Sequence, residues 1–113
     1  MTRRVWMALL LLVGLSQGAF AQHDGFSPKL ELGRRLYEQS CGVCHTRPTL
    51  VSRMYGPELN SKTVGGSADA AAAIITNGTA RMPAFKYTYN PEQISAIAAY
   101  VVTLAPGHQG DGK

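Results

Sequence analysis

The chemistry-bearing residues of this chain gather at Cys41-Gly42-Val43-Cys44-His45. Two cysteines three positions apart, with a histidine directly after the second, have the spacing of a covalent haem attachment site. Thioether bonds from Cys41 and Cys44 would hold a porphyrin through its two vinyl groups. His45, fixed beside the second bond, would then reach the iron from one face, because haem iron takes axial ligands from protein side chains. Its other ring nitrogen would donate to a backbone carbonyl, which sets the tautomer.

Other chemistries use the same residue types. Two cysteines in an oxidising compartment ordinarily make a disulfide. A Cys-x-x-Cys pair is also a thiol–disulfide exchange centre, but that arrangement expects a strand before the first cysteine and a helix after the second. In this chain the order is reversed: a helical segment precedes Cys41 and Pro48 soon follows Cys44. A zinc site would have to draw on Cys41, Cys44, His45, His23 and His108, the last two near the ends of the chain. The adjacent His45 therefore favours haem.

The chain has 113 residues, enough for one domain, with 45% hydrophobic and 16% charged residues. Arg3 and Arg4, the apolar residues 5–15 and Ala19-Phe20-Ala21 have the order of a secretory signal. A membrane span needs about 20 apolar residues, and Ser16, Gln17 and Gly18 interrupt this core well before that. The reading is a cleaved signal over residues 1–21, with a retained anchor as the alternative and no membrane span expected after cleavage. Removal after Ala21 would leave 92 residues with a net charge of +2, against +4 for the whole chain. No strong basic patch of the kind a nucleic-acid partner requires is visible.

The elements that must position the motif are helical. Ser27-Pro28 has an N-cap serine and a proline at the first helical position, and a helix is expected to about Ser40. Gly33 costs helix stability, so its central place implies a close packing contact near Leu32, Leu36 and Tyr37. Residues 46–62 show no sustained period and read as loop. Ser67 caps a helix through Ala70 and Ile75 that closes at Asn77-Gly78, with Ile74 and Ile75 as its main buried residues. Residues 79–85 read as loop. Asn90-Pro91-Glu92-Gln93 is a capping-box start for a last helix to about Leu104, with Ile94, Ile97, Val101 and Leu104 as one apolar stripe. From Pro106 to Lys113 the chain reads as a frayed tail.

This layout resembles the class I c-type cytochrome family, in its bacterial periplasmic monohaem form, over most of residues 22–105. Cys41-x-x-Cys44-His45 matches the attachment motif. Gly56-Pro57-Glu58-Leu59 is similar to the family's Gly-Pro-x-Leu turn, whose proline carbonyl accepts a hydrogen bond from the ligand histidine. Asn77-Gly78 followed by Met82-Pro83-Ala84-Phe85 resembles the loop that bears a methionine ligand. Gly33-x-x-x-Tyr37 with Ile97-x-x-Tyr100-Val101 resembles the crossing of the first and last helices.

The resemblance implies an all-α cytochrome c-like fold of three or more short helices around one covalently bound haem c. It implies His45 and Met82 as axial ligands, and one-electron transfer in the periplasm between redox partner proteins such as a dehydrogenase, an oxidase or another cytochrome. Beyond the signal, Met54 and Met82 are the two methionines. Met54 lies nine residues after His45, on the segment leading to Pro57, whereas Met82 lies 37 residues after it, with chain enough to reach the opposite face. Pro83 biases Met82 toward extended backbone. His108 is a rival in the tail. Arg53, Tyr55, Arg81, Lys86 and Tyr87 are possible propionate partners. With both axial positions filled by protein, the expectation is a carrier and not an enzyme. The alternative is a haem-bearing subunit or domain of a dehydrogenase or peroxidase-like complex.

Overall fold

The structure, a computed structural model, describes residues 25, 27–46 and 55–107. The signal at residues 1–21, His23, Pro48, Arg53, Met54, His108 and most of the tail lie outside them. The described residues form α1 (Pro28–Ser40), α2 (Gly42–His45), α3 (Ala68–Asn77), a 3-10 turn (Phe85–Tyr87) and α4 (Pro91–Val101). Among them no strand occurs beyond one antiparallel bridge between Thr79 and Met82, so the all-α expectation holds.

Local chemistry sets the ends of these helices. The Ser27 hydroxyl accepts from the Leu30 N–H at 3.3 Å, and Pro28 occupies the first position, where no donor is needed. Ser67 caps α3 in the same way through the Ala70 N–H. Asn90 and Gln93 make both halves of a capping box, at 2.9 and 3.0 Å. α3 stops at Gly78, whose φ of 70° and ψ of −170° place it in a region that is essentially glycine-only. α4 stops at Val101, three residues short of the expected Leu104. Its last turn tightens, with Thr103 and Leu104 donating to the Tyr100 and Val101 carbonyls. Leu104 keeps its place on the buried stripe, and its carbonyl accepts from the Ser61 N–H at 3.1 Å.

α1 and α4 cross at Gly33. A Cβ there would overlap the Ala96 carbonyl oxygen and come within 3.0 Å of the Tyr100 Cβ. Beside the crossing the Tyr37 and Tyr100 rings pack at 5.5 Å with planes tilted by 59°. α3 packs on α4 through Ala71 and Ile75. Ile74 was expected inside with Ile75, but it is 46% exposed. The buried face of α3 is set by the i, i+4 pair Ala71 and Ile75, and Ile74 is turned about 100° away from Ile75. Among the described residues no helix is long and apolar enough to cross a membrane.

Candidate haem site

α1 delivers Cys41 into the apolar core. The Cys41 N–H donates to the Tyr37 carbonyl at 2.8 Å, and Cys41 is 5% exposed within the apolar cluster formed by α1, α3 and α4. Cys41 keeps a helical backbone, at φ −97° and ψ −35°, so the chain enters the single turn α2 instead of leaving as a loop. Cys44 and His45 donate to the Cys41 carbonyl at 3.1 and 3.0 Å. This turn escaped the sequence reading, because four residues containing a glycine and a β-branched valine carry no period. It places Cys44 one turn beyond Cys41 and turns His45 inward, where it is buried.

The imidazole of His45 is fixed by the segment after it. Its Nδ1 lies 2.7 Å from the Pro57 carbonyl oxygen. A carbonyl can only accept, so this contact makes Nδ1 a donor, and in the neutral imidazole that leaves Nε2 with its lone pair. Among the described residues Nε2 makes no hydrogen bond. The Gly56 N–H donates to the Cys44 carbonyl at 2.8 Å, which lays residues 56–57 along the ring. A Cβ at Gly56 would come within 2.6 Å of the His45 Cε1 and 2.7 Å of Nδ1. Gly56 is therefore a cradle for the imidazole edge.

No disulfide joins Cys41 to Cys44. Burial first, and then the neighbouring Cys44, push the Cys41 thiol up to about 11. Exchange-active thiols move the other way, toward low values in electropositive surroundings, and a helix rather than a strand leads into Cys41. Among the described residues no three or more His, Cys, Asp or Glu side chains converge as a metal-ion site.

Met82 sits on a pinned loop. Thr79 and Met82 exchange backbone hydrogen bonds at 2.9 and 3.3 Å. Gly78 packs against this loop so closely that a Cβ would overlap the Met82 carbonyl oxygen and come within 2.8 Å of the Ala84 nitrogen. The Met82 side chain is half-buried against the apolar cluster that contains Cys41, as is Phe85. The structure thus brings Cys41, Cys44 and His45 together on α2 and packs Met82 on the same core.

Of the possible propionate partners, Arg81 stacks over the Tyr55 ring at 5.1 Å and Lys86 over Tyr87 at 5.3 Å. Two residues near the site went unread in the sequence. Asn60 is buried at 4% exposure and holds the loop after Glu58 by accepting from the Lys62 and Thr63 N–H groups, an Asx-turn pattern that its Asn-Ser-Lys-Thr sequence could have signalled. Tyr89 hydrogen-bonds Ser40, 49 positions away, and nothing local announces that contact.

These features fit a covalently held haem: two cysteines one turn apart without a disulfide, and a buried imidazole whose Nδ1 meets the Pro57 carbonyl. Met82 is borne on a separate pinned loop that packs on the same core.

The model of a family described as "Cytochrome C oxidase, cbb3-type, subunit III" matches residues 28–101. Cytochrome c6 of Nostoc sp. (strain PCC 7120) is 31% identical over 91% of this chain and 95% of its own length. Cytochrome c6 of Anabaena variabilis is 34% identical over 65% of this chain and 88% of its own length. For cytochrome c6 of Tetradesmus obliquus the identity is 31% over 72% of this chain and 97% of its own length.

Proposed function

Because this chain belongs to the class I monohaem c-type cytochromes, we propose that it is an exported, periplasmic electron carrier with its haem attached at Cys41 and Cys44 and ligated by His45 and Met82. Members of the family carry a covalently bound haem c and move electrons, so the protein is an electron carrier and not an enzyme. The ligand set, the compartment and the division into a signal (1–21), a haem domain (22–105) and a tail (106–113) belong to the proposal.

The observation that carries it is the 2.7 Å contact of His45 Nδ1 with the Pro57 carbonyl. It selects the tautomer whose Nε2 is free to ligate, and it raises the basicity of that nitrogen. Bound in this way, the haem supplies a one-electron couple. Cys41 and Cys44 would hold the macrocycle, Gly56 lets the loop close on the imidazole edge, and Met82 would supply the second protein ligand. With His45 and Met82 both ligating, a substrate would find no open position on the iron. The redox partners are donor and acceptor proteins in the same compartment.

The test is a denaturing gel stained for haem peroxidase activity, with wild type beside Cys41→Ala/Cys44→Ala. Stain that stays with the wild-type band and vanishes from the variant supports attachment at these cysteines. Unstained wild type with two titratable thiols would return the protein to the dithiol reading. The family model that matches is named for an oxidase subunit, which favours a haem domain within a larger complex as the second reading. Ready binding of carbon monoxide by the ferrous wild type would support that second reading in its open-iron, enzymatic form.

A further inference from the structure

We propose that Tyr89 is a positioning residue for the Met82–iron bond, acting as a strut between the methionine loop and the haem-bearing end of α1. The inference rests on the His45/Met82 ligation proposed above.

The loop that carries Met82 leaves α3 at Gly78 and rejoins helix at Asn90. Its first half is pinned by the Thr79–Met82 bridge. Its second half folds onto itself: Thr88 and Tyr89 donate their N–H groups to the Phe85 carbonyl at 2.9 and 2.8 Å. The Phe85 and Tyr89 rings stack at 6.0 Å with planes only 10° apart. Phe85 follows Met82 by three residues, so the stack sets where the chain after Met82 can go. The far end of the Tyr89 ring then reaches α1, where its hydroxyl and that of Ser40 hydrogen-bond at 2.5 Å.

Ser40 is the last residue of α1 and immediately precedes Cys41. The contact therefore joins a residue next to the first thioether position to the loop presenting the sixth ligand. It is partly buried, as is the Tyr89 ring against the core. A methionine–iron bond must compete with any exogenous ligand, which gains access only in the fraction of molecules whose loop has opened. The apparent affinity of such a ligand scales with that fraction. A hydrogen bond formed when the loop is docked, and lost when it lifts, lowers the open fraction without touching the iron.

The experiment uses holoprotein: wild type, Tyr89→Phe, Ser40→Ala, the double variant and Ser40→Thr. Each ferric protein is titrated with imidazole while the sulfur-to-iron absorption is followed. Tyr89→Phe and Ser40→Ala should each tighten apparent imidazole binding by about two- to tenfold, the range a single net hydrogen bond spans. The double variant should go no further than the singles, and Ser40→Thr, which keeps the hydroxyl, should match wild type. A purely structural role would lower the unfolding midpoint and leave the titration unmoved. Unchanged imidazole affinity in Tyr89→Phe, or single effects that multiply in the double variant, overturns the inference. Where Ser40→Ala impairs haem attachment, Tyr89→Phe alone decides it. The ligation reading fails separately: wild type would lack the absorption, or Met82→Ala would retain it. An absorption that depends on Met82 but is insensitive to Tyr89→Phe overturns only the strut.

Discussion

Gly33 of α1 lies against the carbonyl oxygen of Ala96 on α4, with no room between them for a side chain. The contact sets how deeply the first and last helices interlock, and so where α1 delivers Cys41. Gly33→Ala would force the helices apart and should lower the stability of the holoprotein by about 1–3 kcal/mol, the usual cost of overpacking. Guanidinium unfolding monitored at the haem absorption measures this. An unchanged midpoint would mean that the crossing has slack.

At the site, Gly56→Ala puts a methyl group against the imidazole of His45. The ring must tilt, which weakens its hydrogen bond to Pro57 and removes electron density from Nε2, the nitrogen proposed to ligate the iron. A less basic ligand stabilises the oxidised iron less, so the reduction potential should rise. Potentiometric titration of the holoprotein reads the shift; a fall, or no change, contradicts the role given to Gly56.

Gly78→Ala tests the other face. Its backbone, at φ 70° and ψ −170°, is in a region that costs an L-residue about 1–3 kcal/mol, and the added methyl meets the Met82 backbone. The variant should lose about that much stability, and its ferrous form should bind carbon monoxide that wild type resists. If the variant is destabilised but remains closed to carbon monoxide, Gly78 serves only as a helix stop.

Haem is also expected to complete the core. Leu59, Val64, Met82 and Phe85 pack on the α1/α3/α4 cluster and are themselves only partly buried. A domain of this size has little apolar area to spare. The haem-free Cys41→Ala/Cys44→Ala protein should therefore be protease-sensitive and unfold without a cooperative transition. A resistant, cooperatively folding apo-protein would contradict this.

The features that could be read in the sequence are those that local chemistry decides. Ser27-Pro28, Ser67 and Asn90-Pro91-Glu92-Gln93 announce helix starts because each cap satisfies N–H groups within three residues. Gly33 was legible because a central helix glycine needs a packing reason. Ile74 was not: in the tract Ala70-Ala71-Ala72-Ala73-Ile74-Ile75 no polar face marks which side looks outward. The turn α2 is too short for any period to register. The Ser40–Tyr89 contact joins residues 49 positions apart, and only the fold brings them together.

The most direct test of the proposed His45/Met82 site is the ferric absorption spectrum of Met82→Ala, with Met54→Ala as its control. The sulfur-to-iron absorption should be present in wild type and in Met54→Ala. It should be absent from Met82→Ala, whose ferrous form should also bind carbon monoxide readily. A Met82→Ala protein that keeps a six-coordinate, methionine-ligated spectrum would contradict the assignment and make Met54 the leading candidate for the sixth ligand.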